Sequence, residues 1–219
     1  MKPQPGLARA IIFACIALLL AGAGFGPAAA ANRPIRLVAL GDSLTAGYNL
    51  PQSAAFPVVL EKALKAKGYA VEIANAGVSG DTATGGLERL DWSVPDGTDG
   101  VILELGANDM LRGLDPSMTR RALEAIVQRL QARNIPVMIA GMYAPRNLGA
   151  DYVARFESIY RDLATQYGLV LYPFFLEGVA GDRSLNLPDG LHPTAKGVEI
   201  VVERILPSVE TFLARIQQR

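Results

Sequence analysis

Acyl transfer at neutral pH needs a nucleophile and a base that titrates near neutrality, and histidine is the usual base. This chain holds one histidine, His192, in Asp189-Gly190-Leu191-His192-Pro193. A serine stands far upstream in Gly41-Asp42-Ser43-Leu44. If the two meet, His192 is the only imidazole that can take the Ser43 proton. Asp189, three residues earlier, is spaced to orient the ring. Taken alone, a single histidine in a polar loop reads as solvated surface, so the weight rests on the segments around it.

Two further segments carry chemistry-bearing residues at the ends of apolar runs. Asn75-Ala76-Gly77-Val78-Ser79-Gly80-Asp81-Thr82 has glycines that let backbone N–H groups approach an anion, or that merely make a turn. Gly106-Ala107-Asn108-Asp109 sets an amide side chain just past another run. In the first segment, Asp42 and Ser43 could equally be a helix cap. Rival motifs fail: Gly41 to Gly47 lacks the G-x-G-x-x-G spacing of a dinucleotide loop, and neither Ser43 nor Ser79 sits in G-x-S-x-G.

The elements that must position these residues follow from the hydrophobic pattern. Residues 35–40, 71–74, 101–105, 136–140 and 169–172 read as five strands. Most are apolar on both faces, as in a parallel sheet covered on two sides. Helical patterns lie between them, at 55–67, 115–133, 150–167 and 194–217, with Pro207 expected to kink or divide the last. Strand-helix alternation implies right-handed crossovers and an α/β three-layer sandwich. All four chemical segments then fall after strands or in the last loop, where open α/β sheets bind ligands.

Residues 1–31 are of a different material. Lys2 and Arg9 precede an apolar run from Ile11 to Ala21, and small residues follow to Ala31. This pattern reads as a secretory signal peptide cleaved after Ala30 or Ala31. The run is shorter than the ~20 residues of a spanning helix, so no stable membrane anchor is expected. Cys15 lies inside the run and not at its end, against a lipoprotein. Residues 32–219 are expected to form a single domain exported to the periplasm or the medium. The leader takes two of 21 basic residues and none of 21 acidic ones, leaving 19 against 21 and a net charge of −2. With no basic run, nucleic acid is not an expected partner. The only cysteine leaves with the leader, so no disulfide, thiol chemistry or zinc site is expected.

Together the segments resemble the SGNH (GDSL) hydrolase family across the mature chain: GDSL, then SGDT, then G-x-N-D, then D-x-x-H-P. Through GDSLTAGY, SGDT, ELG-ND and DGLHP the chain is similar to the exported thioesterase I/arylesterase/lysophospholipase subgroup. The resemblance implies a flavodoxin-like sheet of five parallel strands in order 2-1-3-4-5. It also implies Ser43 as nucleophile, His192 as general base and Asp189 as the acid that orients it. The oxyanion hole would be the Ser43 N–H, the Gly80 N–H and the Asn108 amide. Gly77 competes with Gly80 for that role, and the match at SGDT favours Gly80. No metal or cofactor is implied.

The expected partner is a small-molecule acyl ester or thioester, lipids such as lysophospholipids included. Met110, Leu111 and Leu114, the stretch from Tyr143 to Leu148, and Phe174-Phe175-Leu176 are candidates to line an acyl groove, and equally candidates for loop anchors. Two alternatives stand beside this reading. One is a carbohydrate O-acetylesterase; the other is a secreted binding protein on a hydrolase scaffold that no longer turns over.

Overall fold

Runs of Val, Ile, Leu and Ala with no polar face can be strands only if both faces are covered. In a computed structural model describing residues 33–219, they are. The expected leader, its cleavage position and Cys15 lie outside the described residues. The strands are β1 (Ile35–Gly41), β2 (Val71–Gly77), β3 (Gly100–Glu104), β4 (Val137–Ala140) and β5 (Val170–Tyr172). Every pairing is parallel, and the sheet order is β2-β1-β3-β4-β5. All residues of β3 and β4 are buried. β2, at the sheet edge, alternates in its first residues between buried Val71 and Ile73 and exposed Glu72.

Four long helices cover the sheet: α2 (Phe56–Ala66), α6 (Pro116–Ala132), α7 (Ala150–Tyr167) and α8 (Ala195–Gln217). Shorter ones are α1 (Ser43–Ala46), α3 (Ala83–Glu88), α4 (Leu90–Ser93) and α5 (Ala107–Leu111). α2 packs on α8, while α3 packs on α6 and α6 on α7, which gives the expected three-layer sandwich. Pro207 does not divide α8. It lies on the solvent side, as does Glu203, whose carbonyl loses its N–H partner and can turn to water.

Strand register assembles the chemical segments. Gly41 at the end of β1 pairs with Gly77 on one side and with Glu104 on the other. The segments that follow these three residues therefore leave the sheet at one level. From β1 the chain moves to β2 on one side and returns to β3 on the other. That reversal is the topological switch point at which α/β sheets bind ligands.

Candidate active site

The nucleophile candidate is fixed by its neighbour. Asp42 is the N-cap of α1: its Oδ1 accepts from the Leu44 N–H at 2.9 Å. Both readings of this segment therefore hold at once, with Asp42 the cap and Ser43 the first helical residue. Ser43 is 8% exposed and faces the cavity described below. Gly77 lies beneath this turn. A Cβ there would stand 2.2 Å from the Ala46 nitrogen, so the position tolerates no side chain.

The loop carrying His192 is closed by an antiparallel bridge between Asn186 and Pro193 and by the Leu187 N–H to the His192 carbonyl at 2.7 Å. Asp189 Oδ1 accepts the N–H groups of Leu191 and His192, at 2.9 and 3.0 Å. Its Oδ2 lies 2.7 Å from His192 Nδ1. Those donors, the His192 N–H foremost, hold the Asp189 carboxyl down at about 2, so it is a carboxylate at neutral pH. A carboxylate on Nδ1 selects the tautomer with the proton there and leaves Nε2 as acceptor. Ser43 Oγ lies 2.9 Å from Nε2. The Tyr48 ring lies over the imidazole, with centroids 4.4 Å apart and planes tilted by 35°.

The oxyanion candidates separate into two kinds. Among the described residues, the N–H groups of Ser43 and Gly80 donate to no other residue. Gly80 has φ +85°, a left-handed turn that glycine adopts freely, and its carbonyl accepts from Arg112 Nη2 at 2.6 Å. Asn108, at the start of α5, is tied down: its Nδ2 donates to Asp42 Oδ2 at 3.0 Å and to the Asp81 carbonyl at 2.9 Å. Both Nδ2 hydrogens are thus engaged, one by the residue before Ser43 and one by the residue after Gly80.

Three polar groups behind the site did not emerge from the sequence reading. Arg89 is buried and donates to the Gly41 carbonyl at 2.8 Å, the Ala76 carbonyl at 2.9 Å and Ser93 Oγ at 2.9 Å. It also pairs with Asp81 Oδ2 at 2.5 Å, joining the ends of β1 and β2 to the Gly80 loop. Glu104 is buried under α1 and accepts from Thr45 Oγ1 at 2.7 Å, while its Oε1 has no partner. Burial, foremost, and the neighbouring Asp42 carboxylate push the Glu104 carboxyl well above the usual carboxylate range. Asp109 is buried too, accepting from the Ala83 N–H at 2.8 Å and Thr119 Oγ1 at 3.1 Å. The residue beside Asn108 thus fastens α3 and α6 to the site. A charged residue inside an otherwise apolar strand, as at Glu104, was the one available signal.

Ser43, Asn108 and His192 line a cavity of ≈ 420 Å³, within the size range of small-ligand pockets. Of the groove candidates, Met110, Leu111 and Tyr143 line it, as do Phe174 and Leu176. Two do not. Phe175 is 1% exposed and meets Phe56 edge-on at 4.9 Å in the core, because neighbouring residues at a strand exit point opposite ways and Phe174 has the cavity side. Leu148 sits on the exposed turn Arg146–Leu148 and is directed to solvent. Leu114 is likewise not part of the cavity wall.

Comparison with known proteins shows the family. Residues 39–200 match the GDSL-like lipase/acylhydrolase family. The chain is 35% identical over 178 residues to an esterase, TesA, of Pseudomonas aeruginosa, covering 81% of this chain and 89% of that one. It is 38% identical over 158 residues to thioesterase 1/protease 1/lysophospholipase L1 of Escherichia coli K12, covering 72% and 74%. The crystal structure of AlinE4, an SGNH-hydrolase family esterase, superposes with a TM-score of 0.70 at 45% identity, covering 83% of this chain and 97% of that one. With the four segments in order at the carboxyl end of a 2-1-3-4-5 sheet, and a family match that spans them, this chain belongs to the GDSL-like lipase/acylhydrolase family.

Proposed function

We propose that the chain hydrolyses carboxylic esters and acyl thioesters through an acyl-serine intermediate, with Ser43, His192 and Asp189 as its triad. The observation that carries this is the continuous path from Asp189 Oδ2 through the imidazole to Ser43 Oγ, at 2.7 and 2.9 Å, opening on an apolar cavity. His192 Nε2 takes the hydroxyl proton as Oγ bonds to the acyl carbon. The imidazolium, steadied by Asp189, returns that proton to the leaving alkoxide or thiolate as the tetrahedral centre collapses. Water, deprotonated by the same nitrogen, then releases the acid. The Ser43 and Gly80 N–H groups are the free donors for the oxyanion, and the Asn108 amide joins them by giving up one of its two Nδ2 bonds.

Apolar walls suit an acyl chain better than a sugar, which favours acyl esters and lysophospholipids over acetylated carbohydrates. Residues 1–31 act as a cleaved export signal, and the mature protein works in the periplasm or the medium. Among the described residues no helix is long and apolar enough to cross a membrane. A panel of acyl-CoA, p-nitrophenyl esters, lysophospholipid and acetylated xylan tests the reading on the wild-type protein and Ser43→Ala. Hydrolysis of the first three, lost in the variant, is expected. Turnover of the acetylated sugar alone would overturn the acyl-chain assignment.

A further inference from the structure

A second cavity, ≈ 580 Å³, adjoins the one that holds Ser43. Tyr143, Arg146 and Glu157 line both cavities, so these three side chains form the wall between them. Beyond the wall lie Ala154 and Leu171 together with Ser158 and Arg161, so the second space accepts methylenes while its rim stays wet.

The wall is weakly built. Tyr143 is held by stacking on Phe174, with centroids 4.6 Å apart and planes 12° from parallel. Among the described residues, Glu157 Oε1 is buried without a hydrogen bond, and its nearest cation is Arg146 Nη1 at 3.8 Å. The Arg146 side chain is 82% exposed on a turn that buries none of its residues. An apolar chain end reaching this wall meets a carboxylate oxygen that has lost water and gained little in return. Pushing further would strip the ion pair of its remaining solvent.

We propose that the Tyr143–Arg146–Glu157 wall sets the longest acyl chain the site accepts, and that opening it joins the second cavity to the acyl groove. The inference rests on the ester-hydrolase reading of Ser43, because it takes the acyl chain to run from that residue along the apolar wall. Arg146 and Glu157 are then specificity-determining residues outside the triad and the oxyanion hole. Each methylene that finds apolar cover raises kcat/KM about fourfold, the equivalent of ~0.8 kcal/mol, until the chain end meets the wall. Past that point the gain stops.

The test is a chain-length series of p-nitrophenyl esters, from butyrate through octanoate to dodecanoate and hexadecanoate. It compares the wild-type protein with Arg146→Ala, Glu157→Leu and the double variant. Melting temperature is read on the same preparations. The double variant is expected to raise the dodecanoate-to-butyrate ratio of kcat/KM by about tenfold or more, the scale on which a few pocket methylenes discriminate. An unchanged ratio in a folded double variant overturns the wall. So does an equal loss at every chain length. A wild-type protein that cleaves none of the esters overturns the hydrolase reading instead, and so distinguishes the two failures.

Discussion

Asp42 precedes Ser43 in sequence, yet its second carboxylate oxygen holds Asn108, 66 residues away, at 3.0 Å. One side chain thus caps the helix that begins with Ser43 and orients Asn108, the side-chain donor proposed for the oxyanion. Asn108→Ala is expected to reduce kcat by roughly 10²–10³ with little change in KM, the size of one oxyanion donor. Asp42→Asn replaces one of two acceptor oxygens by a donor, so it must give up either the Leu44 cap or the Asn108 bond. A double variant no slower than Asn108→Ala alone is the expected outcome, because coupled residues are not additive. Independent, multiplying losses would show that Asp42 acts elsewhere.

Asp189 makes a pH-dependent contribution of known sign. Its folded-state value of about 2 lies below the ordinary ~3.9, so its stabilisation is present above that value and is lost as pH falls toward 2. Because the carboxyl is partly exposed, the effect is below about 1 kcal/mol. Melting temperatures of the wild-type protein and Asp189→Asn should differ most above pH 4 and converge near pH 2. At neutral pH the same variant should lose up to ~10⁴ in kcat, since an amide cannot hold the required tautomer. A difference in melting temperature that widens in acid would contradict the assignment.

Glu104 separates shape from charge. Burial favours the neutral form of Glu104, and an amide accepts from Thr45 as a neutral carboxyl does, so Glu104→Gln should keep the wild-type melting temperature and kcat within about threefold. Glu104→Ala leaves a void and an orphaned hydroxyl, at a cost of roughly 2–4 kcal/mol by denaturant unfolding. Equal damage from both substitutions would mean that an ionised carboxylate is needed there.

The strands, the long helices and the residues of the candidate triad were legible in the sequence because each leaves a local mark: an apolar run, a 3.6-residue repeat, a short motif. The polar scaffold was not. Arg89 lies in a stretch with little periodicity, and its meaning comes from four partners contributed by β1, β2, α4 and the Gly80 loop. The choice between Phe174 and Phe175 hinges on which side of a strand exit each faces, and a one-residue phase is invisible in two consecutive phenylalanines. Leu148 has the chemistry of a groove residue, but its turn points it outward.

Arg89 also yields a stability prediction. Breaking a buried ion pair from one side costs about 3–5 kcal/mol, because the partner is left buried and uncompensated. Arg89→Met should fall in that range. Arg89→Lys should recover little, since one ammonium cannot span the two carbonyls, Ser93 and Asp81 that the guanidinium reaches. Both variants should lower kcat, as Asp81 positions Asn108 through its carbonyl. Full recovery by lysine in urea unfolding would reduce Arg89 to a simple charge.

The proposed chemistry stands or falls on Ser43 being a nucleophile activated by the chain's single histidine. Its most direct measurement is phosphonylation by a fluorophosphonate at neutral pH, followed by intact mass and peptide mapping, on the wild-type protein and on His192→Ala. The expected result is one adduct per chain, on Ser43, formed slower by on the order of 10⁴ or more in the variant. An adduct on another residue, or a folded His192→Ala protein labelled at the wild-type rate, would contradict the account.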